Sequence, residues 1–239
     1  MIVFGYNFHH RKTQDFLFYC RHYGYTVDAV LAAEWRDLGF PPNGIRTKLR
    51  PAGTIHPSEI CRAQDVPYYV VDHNSEESLE ILDRLKPEIG LISGARILSR
   101  EVIEQFSKGV VNFHPGLIPE TRGLDCVEWA IYENLPFGIT SHLIDGRVDA
   151  GRIITRIELP EYPDDTLIDI GERLHQWELE IFSETVEVIE NGDIGNLEAV
   201  EMDIKQPYGK FPIEFQPELL KQFAERFPLS DITSVSEQK

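Results

Sequence analysis

The stretch VNFHPGLIPETRG, Val111 to Gly123, changes character after four residues. The run GVVNFH, Gly109 to His114, is short, apolar and β-branched, which predicts a buried strand. Asn112 and His114 are two residues apart, so on a strand they share a face. Pro115 then stiffens the chain, Gly116 permits a close approach, and Pro119 and Gly123 mark a loop. An amide donor beside an imidazole at a strand's carboxyl end could stabilise an oxyanion and move a proton. Taken alone, Asn-x-His also suits a turn with a satisfied histidine.

Upstream of this stretch, strands and helices alternate. MIVFGY, YTVDAVLAA, VPYYVVD and EIGLIS read as four buried strands. Between them lie RKTQDFLFYCRHYG, a helix ending at Gly24, then SEICRAQD, and SEESLEILDRLKP with Ser75 as its N-cap. Short connections in this order predict an α/β fold, a mostly parallel sheet with helices on both faces. Ligands of such sheets sit outside the carboxyl ends of the strands, where SGARIL and NFHPG fall. Downstream, GLDCVEWAIYEN predicts a helix, and FGITSHLID with GRIITRIEL an antiparallel pair. One long helix is expected over DDTLIDIGERLHQWELEIFSETVEVIENG, with Leu167, Ile170, Leu174, Trp177 and Ile181 on one stripe and Gly192 as its stop. Residues 1–195 are expected to form the main domain, and 196–239 a short C-terminal appendage with loose last residues, serving dimerisation or covering a site. Phe211, Ile213, Phe215, Leu219, Leu220 and Phe223 are too apolar for a free tail, and a homodimer contact is favoured.

Composition narrows the function. The chain has 239 residues and a net charge of −17. Phosphate binding needs clustered Lys and Arg, so no nucleic-acid partner is expected. Apolar runs fall far short of the roughly 20 residues of a membrane span. The apolar N-terminal run precedes its basic residues, the reverse of a secretory signal, so a cytoplasmic location is expected. Cys20, Cys61 and Cys126 are scattered and read as reduced thiols. His9 and His10 adjoin, but spacing supplies no third ligand, so no metal is expected.

A second cluster, GITSHLIDGRVDAG, places His142 on a strand and Asp149 seven residues later. Asp145 and Asp149 are both able to orient His114, and both also suit turns. NFHPGLIPETRG, GITSHLIDGRVDAGRII and LISGARIL together resemble the folate-dependent formyltransferases, the group containing glycinamide ribonucleotide and methionyl-tRNA formyltransferases. The likeness covers about Met1 to Gly192 and is close from Glu88 to Ile154. It implies a Rossmann-like sheet and a catalytic set of Asn112, His114 and Asp149. It also implies N10-formyltetrahydrofolate as formyl donor, with the pterin against Arg96, Ile97 and Leu98 and near the loop before Asp149, where His142 and Asp145 are the expected contacts. A separate HPSE at His56 follows a loop and has no Asn two residues before it, so it is set aside.

Departures from these relatives bear on the acceptor. The first-strand loop reads GYNFHHRK, where glycinamide ribonucleotide enzymes carry a Gly-rich phosphate cradle, and Gly116 stands where the family usually carries Ser. Neither the C-terminal barrel of the tRNA enzymes nor the regulatory domain of the formyltetrahydrofolate hydrolases is expected. The plan resembles the short enzymes that N-formylate nucleotide-linked amino sugars for O-antigens and related glycans. Arg122, Gly116 and Trp129 are the expected acceptor contacts, with Tyr6, Phe8 and Arg50 nearby. Gly123 is expected to open the backbone toward a ligand. Another small amine, a hydrolase, or a non-catalytic folate-binding protein stands as the alternative.

Overall fold

Alternation along the strands sorts the chain into layers. In β1 (Ile2–Tyr6), Ile2 and Phe4 join one buried cluster while Val3 joins another. In β2 (Ala29–Ala33), Ala29 and Leu31 side with Phe4, and Val30 and Ala32 with Val3. A strand apolar on both faces must be covered on both. The computed structural model, which describes residues 1–40, 44–50, 52–147, 149–192, 194–200 and 206–230, shows how.

The remaining strands are β3 (Tyr68–Val70), β4 (Ile89–Ile92), β5 (Gly109–His114), β6 (Gly138–Leu143), β7 (Arg152–Glu158) and β8 (Glu198–Ala199). They form one eight-stranded sheet in the order β3-β2-β1-β4-β5-β6-β7-β8. Pairing is parallel from β3 to β5 and antiparallel from β5 to β8. This confirms the mostly parallel sheet and the antiparallel β6–β7 pair. Helices α1 (Arg11–Tyr23) and α2 (Pro57–Ala63) cover the Val3 face, and α3 (Glu76–Leu85) and α4 (Arg100–Ile103) the Phe4 face.

Local chemistry sets the helix ends. Gly24 takes the left-handed conformation after α1, and Ser75 accepts from Ser78 N at the start of α3. His56, set aside above, caps α2 by accepting from Ser58 N.

The single long helix expected after β7 is two: α6 (Leu167–Glu180) and α7 (Phe182–Asn191), which meet at Ile181. Their buried stripes serve different clusters. Ile170 and Leu174 pack with α5 (Cys126–Tyr132), whereas Ile181, Phe182, Val186 and Ile189 pack on the sheet, and Trp177 borders both. A straight helix could not present both stripes. Gly192 does stop α7, in extended backbone, where a Cβ would lie 2.1 Å from Val188 O.

The segment after Gly195 begins by adding β8 to the sheet edge, with Val200 N donating to Gly151 O at 2.8 Å. Further on, α8 (Gln216–Arg226) buries Leu219 and Phe223 beside Phe211, Phe227 and α5. Ile213, Phe215 and Leu220 stay exposed. The expected loose last residues lie outside the described residues.

Candidate active site

Strand pairing brings Asn112 opposite His142 and His114 opposite Thr140. Asn112 Nδ2 lies 3.3 Å from His142 Nε2 and 3.4 Å from Asp149 Oδ1. His114 Nδ1 is 3.4 Å from the same Asp149 oxygen, and His142 Nε2 is 4.0 Å from it. The other carboxylate oxygen accepts from Gly123 N at 2.9 Å. Asp149 has a φ of 42°, which a side-chain-bearing residue adopts at a cost, and that carboxylate bridges the strand pair to the loop. Asn112, His114 and Asp149, expected together from sequence, are together. Asp145 is not with them: it binds Arg147 Nε at 3.0 and 3.1 Å and Arg147 N at 2.8 Å, closing its own turn. That settles which of the two aspartates faces His114.

His114 is only 3% exposed, and its second nitrogen is engaged. Nε2 donates to Thr121 O at 2.9 Å and lies 3.4 Å from Cys126 Sγ. Burial opposes charge on this ring, but the Cys126 sulfur and the Asp149 carboxylate outweigh it and raise its pKa to about 10. Burial and the adjacent His114 lower His142 to about 4, against the pull of Asp149, and His142 Nδ1 faces Ala150 O at 2.9 Å. The site therefore gathers an imidazolium, a neutral imidazole and an amide around one carboxylate oxygen, at 3.4 to 4.0 Å from it.

Thr121 and Cys126 were not singled out from sequence. Thr121 arrives because loop 115–121 folds back on itself, with Thr121 N donating to Leu117 O at 2.7 Å and Thr121 Oγ1 accepting from Leu117 N at 2.8 Å. Pro119 in that loop was the visible signal. Gly116 is inside this fold: a Cβ there would stand 2.8 Å from His114 Nε2, Thr121 O and Thr121 Oγ1. Its side therefore faces the His114 ring.

Two expectations about the acceptor side need correction. Gly123 does not open toward a ligand. Its φ of 109° and its missing Cβ admit the main chain of Tyr208, which a Cβ would meet at 2.3 Å. Tyr208 N donates to Arg122 O, and Leu124 N to Tyr208 O, both at 2.9 Å. Trp129 is no open platform on its Tyr208 side: the two rings stack at 4.4 Å, and Trp129 Nε1 donates to Gly209 O at 2.9 Å. Asp125 completes this clasp, accepting from Lys210 Nζ at 2.7 Å and Phe211 N at 2.9 Å. Arg122 Nε is buried with no hydrogen-bond partner among the described residues.

On the other side of the strand ends, Tyr6 stacks on Phe8 at 4.9 Å and meets His10 edge-on. A Cβ on Gly94 would lie 2.8 Å from Tyr6 and 2.9 Å from His10, so aromatic rings fill the crevice between β1 and β4. Arg96 donates to Glu34 O at 2.7 Å, Leu98 is buried in the core, and the Ile97 side chain stands 69% exposed beside them. Arg50 is exposed on its loop.

This fold and this constellation define an α/β protein with a cluster of ionisable groups at the strand ends, and the comparisons give its kinship. Residues 47–186, more than half of the chain, match the formyl transferase family. The chain belongs to that family. It is 34% identical over 120 residues to a methionyl-tRNA formyltransferase of Moorella thermoacetica, covering 49% of this chain and 39% of that one. The chain spans between 39% and 48% of the length of such relatives. Among solved structures, a sugar N-formyltransferase from Shewanella sp FDAARGOS_354 shares the fold with a TM-score of 0.61 at 17% identity, covering 92% of this chain and 87% of that one. A phosphoribosylglycinamide formyltransferase from Streptococcus pneumoniae TIGR4 gives 0.60 at 20%, covering 80% of this chain and 98% of that one.

Proposed function

We propose that the chain transfers a formyl group from N10-formyltetrahydrofolate to a primary amine. The observation that carries this reading is the convergence of Asn112, His114 and Asp149, from β5 and from the loop before β7, on one small volume at the strand ends. The amine attacks the formyl carbon, the carbonyl oxygen gains negative charge, and the C–N bond to the folate then breaks. Asn112 Nδ2 donates to that oxygen. His114 is enclosed, so it acts first as a fixed positive charge beside the reacting group and holds Asp149 through Nδ1. Asp149 receives the amine proton, which is returned to the departing folate nitrogen. Ile97, with the backbone of Arg96 and Leu98, and His142 with the loop carrying Asp145 offer the apolar and polar contacts that a pterin needs.

For the acceptor we favour an amino sugar on a nucleotide carrier. The end of β1 and the residues just after it carry the Tyr6, Phe8 and His10 rings in place of a glycine loop, which disfavours glycinamide ribonucleotide. The greater share of the chain covered by the Shewanella structure than by the Streptococcus one supports the same plan. A tRNA acceptor is the second reading. The methionyl-tRNA relatives favour it, and the charge of −17 weighs against it. Arg122 would bind the acceptor's pyrophosphate or carboxylate through its planar fork. The test is an assay of tetrahydrofolate release and of product mass, with N10-formyltetrahydrofolate and in turn nucleotide-linked amino sugars, glycinamide ribonucleotide, methionyl-tRNA and no amine. A formylated nucleotide sugar is expected. Release equal with and without amines makes the protein a hydrolase and ends this reading.

A further inference from the structure

The opposite side of β5 carries a second buried set of charges. Lys12, from the HHRK run that the site did not absorb, is 18% exposed, and its Nζ donates to Glu178 Oε1 at 2.7 Å and to Phe113 O at 2.8 Å. Glu178 Oε2 lies 3.4 Å from His175 Nδ1, and His175 Nε2 lies 2.7 Å from Asp15 Oδ2. Burial lowers the Lys12 pKa, and Glu178 works against that.

Phe113 is the residue between Asn112 and His114. Pairing of β5 with β4 runs only from Ile89–Gly109 to Ile92–Asn112. Just past that ladder, a buried carbonyl still needs a donor. A cation makes a shorter and stronger bond to it than an amide would. Stability alone is a poor reason for the arrangement, because apolar residues of like volume commonly replace a buried ion pair without loss.

We propose that Lys12 is a positioning residue, whose ammonium fixes the Phe113 peptide and with it the separation of the Asn112 and His114 side chains. Glu178 holds that ammonium in place from α6. This inference rests on the formyl-transfer reading for its kinetic test, though not for its structural one.

The experiment compares Lys12→Met, Lys12→Met/Glu178→Leu and Glu178→Gln in the full chain. It measures Tm, kcat and both KM values, and amide hydrogen exchange across residues 109–114. Lys12→Met leaves Glu178 unpaired and should lose stability. The double variant should regain the lost Tm yet keep a kcat about 10²-fold down, with KM values unchanged and faster exchange confined to residues 112–114. Glu178→Gln keeps the bond to Phe113 O and should retain most of kcat. A double variant that recovers kcat and exchange along with Tm overturns the proposal, because Lys12 then only neutralises Glu178. So does Glu178→Gln if it costs as much kcat as Lys12→Met. If the wild type formylates no amine, the functional reading has failed, and the exchange pattern alone decides the role of Lys12.

Discussion

Two clusters of ionisable groups flank β5, and they are built to different tolerances. On the Lys12 side, the contacts of Lys12 with Glu178 and Phe113, and of His175 with Asp15, run from 2.7 to 2.8 Å, and that of His175 with Glu178, at 3.4 Å, is longer. On the Asn112 side, Asn112 lies 3.3 Å from His142, and Asn112, His114 and His142 stand 3.4 to 4.0 Å from the shared Asp149 oxygen, while the outward bonds of His114, His142 and Asp149 to main chain are 2.9 Å. Short, saturated contacts hold a shape. Long contacts converging on a single oxygen leave donors free to tighten on an incoming group, as catalytic hydrogen bonds do when substrate arrives. The difference distinguishes the candidate catalytic cluster from the one proposed to frame it, without reference to any motif.

Substitutions can break that contrast. Asn112→Ala and His114→Ala should each lower turnover by roughly 10² to 10³-fold while donor binding, measured by calorimetry, is kept. Near-normal turnover in both would mean that the loose cluster is not the reacting one. Asp149→Asn should cost about 10²-fold, while Asp145→Asn should change little because Asp145 serves Arg147; the reverse order would return the role to Asp145.

Arg122→Ala should raise the acceptor KM about tenfold, the value of one charge-assisted bond, and leave the donor KM alone. A fall in kcat with both KM values unchanged would place Arg122 with the framing residues.

Titration sharpens the contrast further. His114, raised to about 10, should stay protonated in ring-nitrogen NMR well above neutrality, and His142, lowered to about 4, should stay neutral through mild acid. The His114 contribution to stability is complete below the usual histidine value and is lost as pH climbs through about 10. The His142 contribution is complete above that usual value and is lost as pH falls through about 4. In the framing cluster, His175 is raised by Asp15 and Glu178 against burial, so its share of stability fades as pH rises past its elevated value. Glu178 is held low by Lys12 against burial, so its share is lost in acid as pH falls through its depressed value. Thermal melts should therefore show Tm falling on both flanks, by about 2–4 °C for each kcal/mol lost. A Tm that keeps rising into acid would contradict the assigned charge states.

Much of this was legible from residue patterns. The period of two in GVVNFH placed Asn112 and His114 on one face, and the spacing of apolar strands and helices gave the sheet. Residue pattern alone left Asp145 and Asp149 level, because both suit turns beside a glycine, and only the family resemblance favoured Asp149. The choice is made by a φ of 42° and a bond to Gly123 N. Ile181 carries no breaker residue, so the split between α6 and α7 follows only from the two clusters they serve. The contacts of Tyr208 with Gly123 and of Lys12 with Glu178 join residues 85 and 166 positions apart, where no periodicity reports on proximity.

The Tyr208 clasp has a consequence for biosynthesis. Protein synthesis is vectorial, and a nascent chain exposed only as far as α7 already contains every residue of the candidate catalytic set. It has no Tyr208 main chain to brace Gly123, and Gly123 N is what grips Asp149. The candidate site is thus braced by a segment translated 85 positions after the glycine it grips. A premature stop between codons 192 and 208 would leave a chain whose motifs all read as intact and whose centre was never closed.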